Sequence, residues 1–512
     1  MPQAAPSCCR RSQHWRPPSV CQSAALTHRE SSFNHPTPSG PASLRPPLGS
    51  AQELSRRPKV YEHGLACQSS ITAAAQSLPP GDLAEPTTAD MAVPSHVSRL
   101  QKYGPIYKRG TPGMEVVVVA EPDSVQALLT ADYASLANDW GEGVSTLLGP
   151  GAIANRQGDA HRASKRTLTK GFSKEATLAY LPGVVKLAAS FLSRWSSQGS
   201  VPLLGEMKCL TFDISCSLIM GFDVEEKERR KLREDFTTLT FGLSAIPFNR
   251  SNPVAAAGLD ARARLLEHIQ PRLSSLPHGN NGSSKPSAKM TPIQRLNAVA
   301  EAEGEEMPME ELLDQSINLL MASTETTAFS MCNMMMELES RPHIAQKLAD
   351  EQRALMDRHG TDISEAVLED MHYGEAVACE VLRVHSPVPF VFRRALIDLE
   401  VGGYTIPKGW ILQLSLHQQQ LDSNMAPDQP GFYPERWLDA SGDLIEQPRN
   451  FMPFGGGPRL CLGRMLAKME MKVMMALFVR GYTCKQPSQQ QALTANVAAR
   501  DDVIQMSFTP RQ

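Results

Sequence analysis

The residues best equipped for chemistry lie in Phe454-Gly-Gly-Gly-Pro-Arg-Leu-Cys461-Leu-Gly463, followed by Ala467. Three glycines let a backbone turn tightly beside something flat and large. The cysteine follows that turn and opens a helix-patterned stretch, Arg464 to Arg480. At a helix N-terminus, amide donors and the dipole favour thiolate over thiol. Arg459, two residues before the cysteine, sets a fixed positive charge near an anion, and Phe454 offers an apolar lid. A thiolate so surrounded suits an iron porphyrin, sulfur to iron and guanidinium to propionate. The bland alternative is a glycine-rich turn around a buried, inert cysteine. Nucleotide binding is weaker still, since no G-x-G-x-x-G follows a strand and no phosphate-loop Lys-Ser/Thr is present. The absence of C-x-x-C-H argues against covalent haem attachment.

Two further constellations stand upstream. Glu380-Val-Leu-Arg383 puts a carboxylate and a guanidinium on one helix face, in the apolar stretch Ala376 to Leu382. A buried pair needs more partners to offset desolvation, and Arg436 in Pro434-Glu-Arg-Trp437 can supply one. Ala322-Ser-Thr-Glu325-Thr326-Thr327 sits inside a long predicted helix that begins near Met307, with Pro308 in its first turn, and stops at Ser340 before Pro342. Hydroxyls packed there can bond back to carbonyls and bend the helix. The pattern predicts a local bulge with room for a small molecule and its waters, beside an acid–alcohol pair able to relay protons. Taken alone, the same residues read as a polar patch on an amphipathic helix.

The spacing Phe-x-x-Gly-x-Arg-x-Cys-x-Gly is met without departure, and over roughly residues 95–510 the chain resembles the cytochrome P450 family. The resemblance implies a mainly α structure with a smaller β part, the cytochrome P450 fold. It implies haem b held between the long helix and the cysteine loop, with Cys461 as iron ligand and Arg459 and Phe454 beside it. Arg393 stands where the family binds a propionate. His161 and Lys165, in Gly158-Asp-Ala-His-Arg-Ala-Ser-Lys165, replace a frequent Trp-x-x-x-Arg and can still donate to carboxylates. Glu380, Arg383 and Arg436 map onto a structural network under the loop. Glu325 and Thr326 map onto the oxygen-activating acid and alcohol, with Ser323 where glycine is usual, a departure that bears on groove width.

The implied reaction is insertion of one oxygen atom from O₂ into a lipophilic sterol-, retinoid- or other terpenoid-like substrate. Trp140, Val144, Ala322, Val388, Phe390 and Val391 are the expected pocket. The segments Trp140 to Gly149 and Pro387 to Arg393 are most similar to the retinoic-acid hydroxylase and sterol-modifying branch. Two rivals remain: an isomerase or dehydratase of the same fold that needs no external electrons, and a non-catalytic haem- or ligand-binding protein. Retention of Glu325 and Thr326 argues against the first, and ligand-dependent O₂ consumption discriminates the second.

The elements that must position these residues are drawn from 512 residues, 41% hydrophobic and 21% charged, which is ample for a large core. A net charge of −3 gives no bulk attraction for nucleic acid. Ten cysteines show neither metal-knuckle spacing nor disulfide density, so reduced thiols are expected. No run of eighteen apolar residues is present. A short helix is expected over Ser98 to Gly104, a strand over Val116 to Ala120, helical periodicity beyond, and a flexible surface loop over Pro277 to Pro286. Residues 91–512 form the expected catalytic domain. Residues 1–90, acid-poor and rich in Arg and Ser at their start, read as an organelle transit peptide, of a plastid by preference, or as a disordered or misassigned extension. With no flavin or iron–sulfur segment, electrons must come from a separate ferredoxin or NADPH-dependent flavoprotein reductase. Two stripes spaced by four, Arg162, Arg166, Lys170 and Arg464, Lys468, Lys472, are the expected docking face of a monomer.

Overall fold

Val117, Val118 and Val119 are all fully buried, so this β-branched run needs cover on both faces, and a sheet interior supplies it. The run lies in strand Met114–Val119, within a six-stranded sheet. In spatial order its strands are Gly81–Asp82, Ile106–Thr111, Met114–Val119, Ile411–Ser415, Phe390–Ala395 and Leu136–Asn138. The computed structural model describes residues 78–82, 93–111, 114–131, 133–222, 224–245, 248–275, 290–302, 307–421, 431–486 and 504–511. The expected Pro277–Pro286 loop and nearly all of the N-terminal extension lie outside them. The register sets Arg393 opposite both Leu412 and Asn138, which brings a strand cation to the sheet's outer edge. A small apolar cluster built on Val117, Leu412, Leu414 and Val391 backs this sheet. A three-stranded sheet (Tyr482–Lys485, Gln505–Pro510, Ser200–Pro202) and a two-stranded one complete the β part.

Helices make up the rest, as the P450-like pattern implies. The N-terminal helix, Val93–Tyr103, starts earlier than expected and ends at Gly104, whose φ of 87° a side chain would resist. The long helix is Met309–Ser340, with Pro308 at its N-cap and Glu310 and Glu311 in its first turn. Its start clamps the loop after Trp140. Asp314 accepts from the Gly151 amide at 2.8 Å and pairs with Arg262, while Gln315 accepts from Ile153 and donates to the Gly151 carbonyl.

The bulge expected at Ala322–Thr327 is not there, because the α-helix runs through it unbroken. Its hydroxyls instead bond back along the helix, Thr326 to the Ala322 carbonyl at 2.7 Å and Ser323 to that of Leu319 at 2.5 Å. The looser winding sits in the facing element: helix Leu203–Ile214 continues as a π-helical turn, Ser215–Met220. Helix Lys174–Ser197, with a mean hydropathy of 1.3, is long and apolar enough to cross a bilayer. Here Leu181, Val184, Leu192 and Trp195 bury one of its faces in the main core, with the Trp195 ring 5.1 Å from that of Phe508.

Glu380, in helix His372–Val384, is wholly buried and fully used. Arg383 donates to both of its oxygens at 2.8 Å. Arg436 Nε lies 3.1 and 3.0 Å from them, Trp437 Nε1 donates at 3.0 Å and the Tyr433 amide at 2.7 Å. The expected triad is therefore joined by two donors that the spacing did not announce. Replacing Glu380 with Ala leaves two guanidinium groups buried without a counter-charge, at a cost of about 3–5 kcal/mol. Glu380→Ala should lower the urea midpoint far more than Glu365→Ala, which removes only an exposed carboxylate 3.2 Å from Lys174. Equal midpoints for the two variants would refute this role.

Candidate active site

The cysteine loop leaves the core at Phe454, whose ring packs against the main cluster, and turns through Gly455 and Gly457 with φ of 72° and 58°. A Cβ on Gly457 would lie 2.3 Å from the Leu129 carbonyl oxygen. The glycine that cannot be replaced therefore answers to the end of helix Pro122–Thr130, not to a flat guest. After a short 3₁₀ turn, Gly457–Arg459, the Cys461 amide donates to the Phe454 carbonyl at 3.0 Å, which closes the loop. Gly463 then caps helix Arg464–Gly481.

Among the described cysteines Cys461 is exposed, while the others are buried or intermediate. It sits in a recess: protein crowds round the sulfur and pushes the thiol pKa up, yet the residue stays reachable. The Gly463 amide, Lys165, Arg464 and the Arg464 amide all pull the other way without prevailing. Helix terminus and cations alone thus do not make the thiolate anticipated from the sequence. A cation bound to the sulfur would.

Positive charge is concentrated round this recess. Arg393 donates to Asn138 Oδ1 at 2.6 Å and to the Phe392 carbonyl at 2.9 Å. Arg459 donates to the carbonyls of Arg156 (2.6 Å) and Ile153 (3.3 Å) and to Gln157 Oε1 (2.8 Å). Lys165 donates to the Leu460 carbonyl, next to the cysteine. Every one of these acceptors is neutral. Burial holds Arg393 and Arg459 down at about 10 each. His161 is buried, with Nδ1 2.5 Å from the Tyr133 hydroxyl. Its pKa falls to about 3, through burial first and then through Arg459, Lys165, Arg393 and Arg162. Four cationic or donor side chains crowded together, with no carboxylate beside them among the described residues, make a receptor for anions. With a reachable thiol beside them, the donor set fits haem, its sulfur ligand and its propionates.

On the long helix Ala322 is exposed, and Thr326 lies one turn on along the same face. Ser323 points elsewhere: its hydroxyl is 2.7 Å from that of Ser215 on the adjoining helix, so the departure from glycine is absorbed between helices. Glu325 pairs with Lys208 at 2.9 Å, a partner that the motif did not suggest. The six expected pocket residues are divided. Val144 packs on the main core, Trp140, Val388 and Val391 belong with the sheet cluster, and Phe390 meets the His96 ring edge-on at 5.0 Å. Among the described residues the buried Trp140 indole N–H finds no hydrogen-bond partner.

The two basic stripes fare differently. Arg162, Arg166 and Lys170 are exposed, as is Arg464. Lys468 and Lys472 are not: their side chains are 21% and 12% exposed and turn to Glu375 at 2.5 and 3.4 Å. A spacing of four marks one face of a helix, and from Lys468 onward that face packs on helix His372–Val384. What remains is a groove of about 490 Å³ between helix Gly158–Gly171 and the cysteine loop, lined among others by Lys165, Phe172, Pro458, Leu462 and Arg464. Tyr133, Asn138, Gln157 and Lys208 escaped the sequence reading, since each acts across the fold and none belongs to a spaced motif.

Residues 86–499 match the family model described as cytochrome P450. Cytochrome P450 26B1 of Danio rerio is 29% identical over 385 residues, 74% of this chain and 75% of that protein. Putative cytochrome P450 120 of Synechocystis sp. is 27% identical over 75% of this chain and 84% of that protein. A solved structure, retinoic acid bound cyanobacterial CYP120A1, superposes with a TM-score of 0.75 at 25% identity, covering 85% of this chain and 99% of its own.

The depressed pKa of His161 has a testable sign. Unfolded histidine titrates near 6.5 and His161 near 3. Between these values the unfolded chain binds a proton that the folded one refuses, so stability drains away as pH falls below 6.5. His161→Gln lacks that drain. Its unfolding midpoint should fall less than the native protein's between about pH 7 and pH 5. Parallel midpoint curves would count against a buried neutral His161.

Proposed function

Because this chain belongs to the cytochrome P450 family, we propose that it is a haem b enzyme that hydroxylates a retinoid-like terpenoid with electrons from a separate protein. Membership of the family supports monooxygenase activity on a lipophilic substrate, with O₂ and an external electron donor. The observation that carries the reading is the reachable Cys461 thiol in a recess ringed by Arg393, Arg459, His161 and Lys165. When bound there, haem supplies O₂ activation and oxygen insertion, consuming two electrons and two protons.

The chain's own residues do the rest. Cys461 binds iron, and Arg393, Arg459 and His161 hold the propionates. Lys165 steadies the loop through the Leu460 carbonyl. Ala322 and Thr326 present the face at which O₂ is handled. Thr326 holds a proton at its hydroxyl, and Glu325 replenishes it. Trp140, Val388 and Val391 offer apolar surface to the substrate, and the retinoic acid held by the similar solved structure supports the retinoid class. An acidic donor, ferredoxin or flavoprotein, docks on Arg162, Arg166, Lys170 and Arg464 about the groove beside the cysteine loop. The unit that acts is a monomer.

Retinoids, carotenoids and sterols should be screened for a substrate-induced shift of the haem spectrum. All-trans-retinoic acid is expected to shift it and to yield a hydroxylated product carrying ¹⁸O from ¹⁸O₂. A sterol response with retinoids inert would overturn the substrate class. Cys461→Ala should lose the red-shifted band of the reduced CO complex, and Thr326→Ala should release more peroxide per reductant consumed. Arg162→Glu with Arg166→Glu should slow reduction by the donor roughly tenfold at low salt, and less as salt rises. A rate indifferent to charge and salt would refute the docking face.

A further inference from the structure

Tyr133 belongs to no spaced motif, yet three elements around the recess converge on it. It follows helix Pro122–Thr130, whose Leu129 carbonyl closes on Gly457 of the cysteine loop. Its hydroxyl lies 2.5 Å from Nδ1 of His161, on helix Gly158–Gly171. The guanidinium of Arg162 lies over its ring at 4.6 Å, and that of Arg459, from the cysteine loop, at 5.7 Å. These cation–π contacts fix the ring, and with it the line of the hydroxyl. His161 is only 2% exposed, so bulk water cannot stand in for a missing partner at Nδ1.

A neutral imidazole carries one N–H and one bare nitrogen, and the partner of Nδ1 decides which is which. Two arrangements satisfy the contact with Tyr133. If the imidazole donates from Nδ1, Nε2 is a bare lone pair that repels an anion. If the phenol donates, Nε2 carries the proton and becomes a donor to an anion. Among the described residues the Tyr133 hydroxyl meets no other hydrogen-bond partner, so donation to Nδ1 is the arrangement that employs its proton. We propose that Tyr133 is a positioning residue: its hydroxyl holds His161 in the Nε2–H form, so that His161 donates to a haem propionate and raises the reduction potential of the bound haem. This rests on the propionate-binding role given to His161 above. The negative charge of a propionate favours ferric over ferrous iron, and each donor that takes up part of that charge shifts the balance toward ferrous. Tyr133 acts by deciding which His161 nitrogen carries the proton.

The test uses the haem-loaded full chain without substrate or donor protein, and reads the reduction potential by spectroelectrochemical titration with small-molecule mediators. Tyr133→Phe keeps the ring and its two guanidinium contacts and removes only the hydroxyl. At a fixed poise its ratio of ferrous to ferric haem should fall about threefold. His161→Phe should fall at least as far, and adding Tyr133→Phe to it should change nothing further, since the effect passes through His161. His161→Met serves if the phenylalanine variant does not load haem. A second readout is the tautomer itself, in ¹⁵N-histidine-labelled protein as its diamagnetic ferrous–CO complex. The long-range ¹H–¹⁵N spectrum should show His161, assigned by its loss in His161→Gln, protonated at Nε2 only. Tyr133→Phe should show both tautomers; if that variant does not load haem, the native spectrum alone decides. A native protein protonated at Nδ1, a native potential in Tyr133→Phe, or a further fall in the double variant overturns the proposal. A native potential in His161→Phe removes the propionate role of His161, and this proposal with it.

Discussion

The carboxylate of Glu380 has no access to water, and its two oxygens accept from Arg383, Arg436, Trp437 and the Tyr433 amide. In so dry a place each donor depends on the others, since losing any one strands a charge or an N–H at full desolvation cost. From this centre order passes outward by contact. The remaining Arg383 donors take the carbonyls of Gln420 and Gly431. The Trp437 ring lies 4.4 Å from that of Phe451, three residues before Phe454 opens the cysteine loop. The loop is gripped again at Gly457 by helix Pro122–Thr130, at Leu460 by Lys165, and past Gly463 by helix Arg464–Gly481. Placing one sulfur thus engages a network that never touches it.

The recess above that sulfur is unfavourable to the chain on its own. Burial first, and then Arg459, Lys165 and Arg393 close by, hold His161 neutral, and the acceptors those cations find are uncharged. Repulsion of this kind subtracts from stability until an anion enters, after which the same charges become its binding energy. Holding the guest and completing the fold are then linked by mass action. The exposed basic residues on helix Gly158–Gly171 extend this field outward, so the helix that lends His161 and Lys165 to the recess also carries positive potential to the surface.

What the sequence revealed were relations carried by local spacing. Cys461 and its loop, Glu380 with Arg383, and the long helix from its Pro308 start to Ser340 all follow from residues a few positions apart. What stayed hidden were relations created by packing. Asn138 reaches Arg393 because a strand pairing brings together residues 255 positions apart. Lys208 reaches Glu325 through the crossing of two helices. Helical spacing gathered Lys468 and Lys472 onto one face but could not say which way it turned, and Glu375 on a neighbouring helix decides that. The hydroxyl-rich segment misled for the opposite reason. Its side chains satisfied themselves on their own carbonyls, and the irregular turn moved to the facing helix, whose sequence gave no warning.

That transfer of irregularity also leaves Glu325 and Thr326, neighbours in sequence, in two different environments. Successive residues on an α-helix are turned by about 100°. In an unbroken helix, therefore, adjacent side chains cannot share a face. Thr326 shares its face with exposed Ala322, whereas Glu325 looks into the seam with Lys208. A bulge would have blurred this division by opening the backbone between them. A continuous helix keeps it sharp, with hydroxyl on one side and carboxylate on the other.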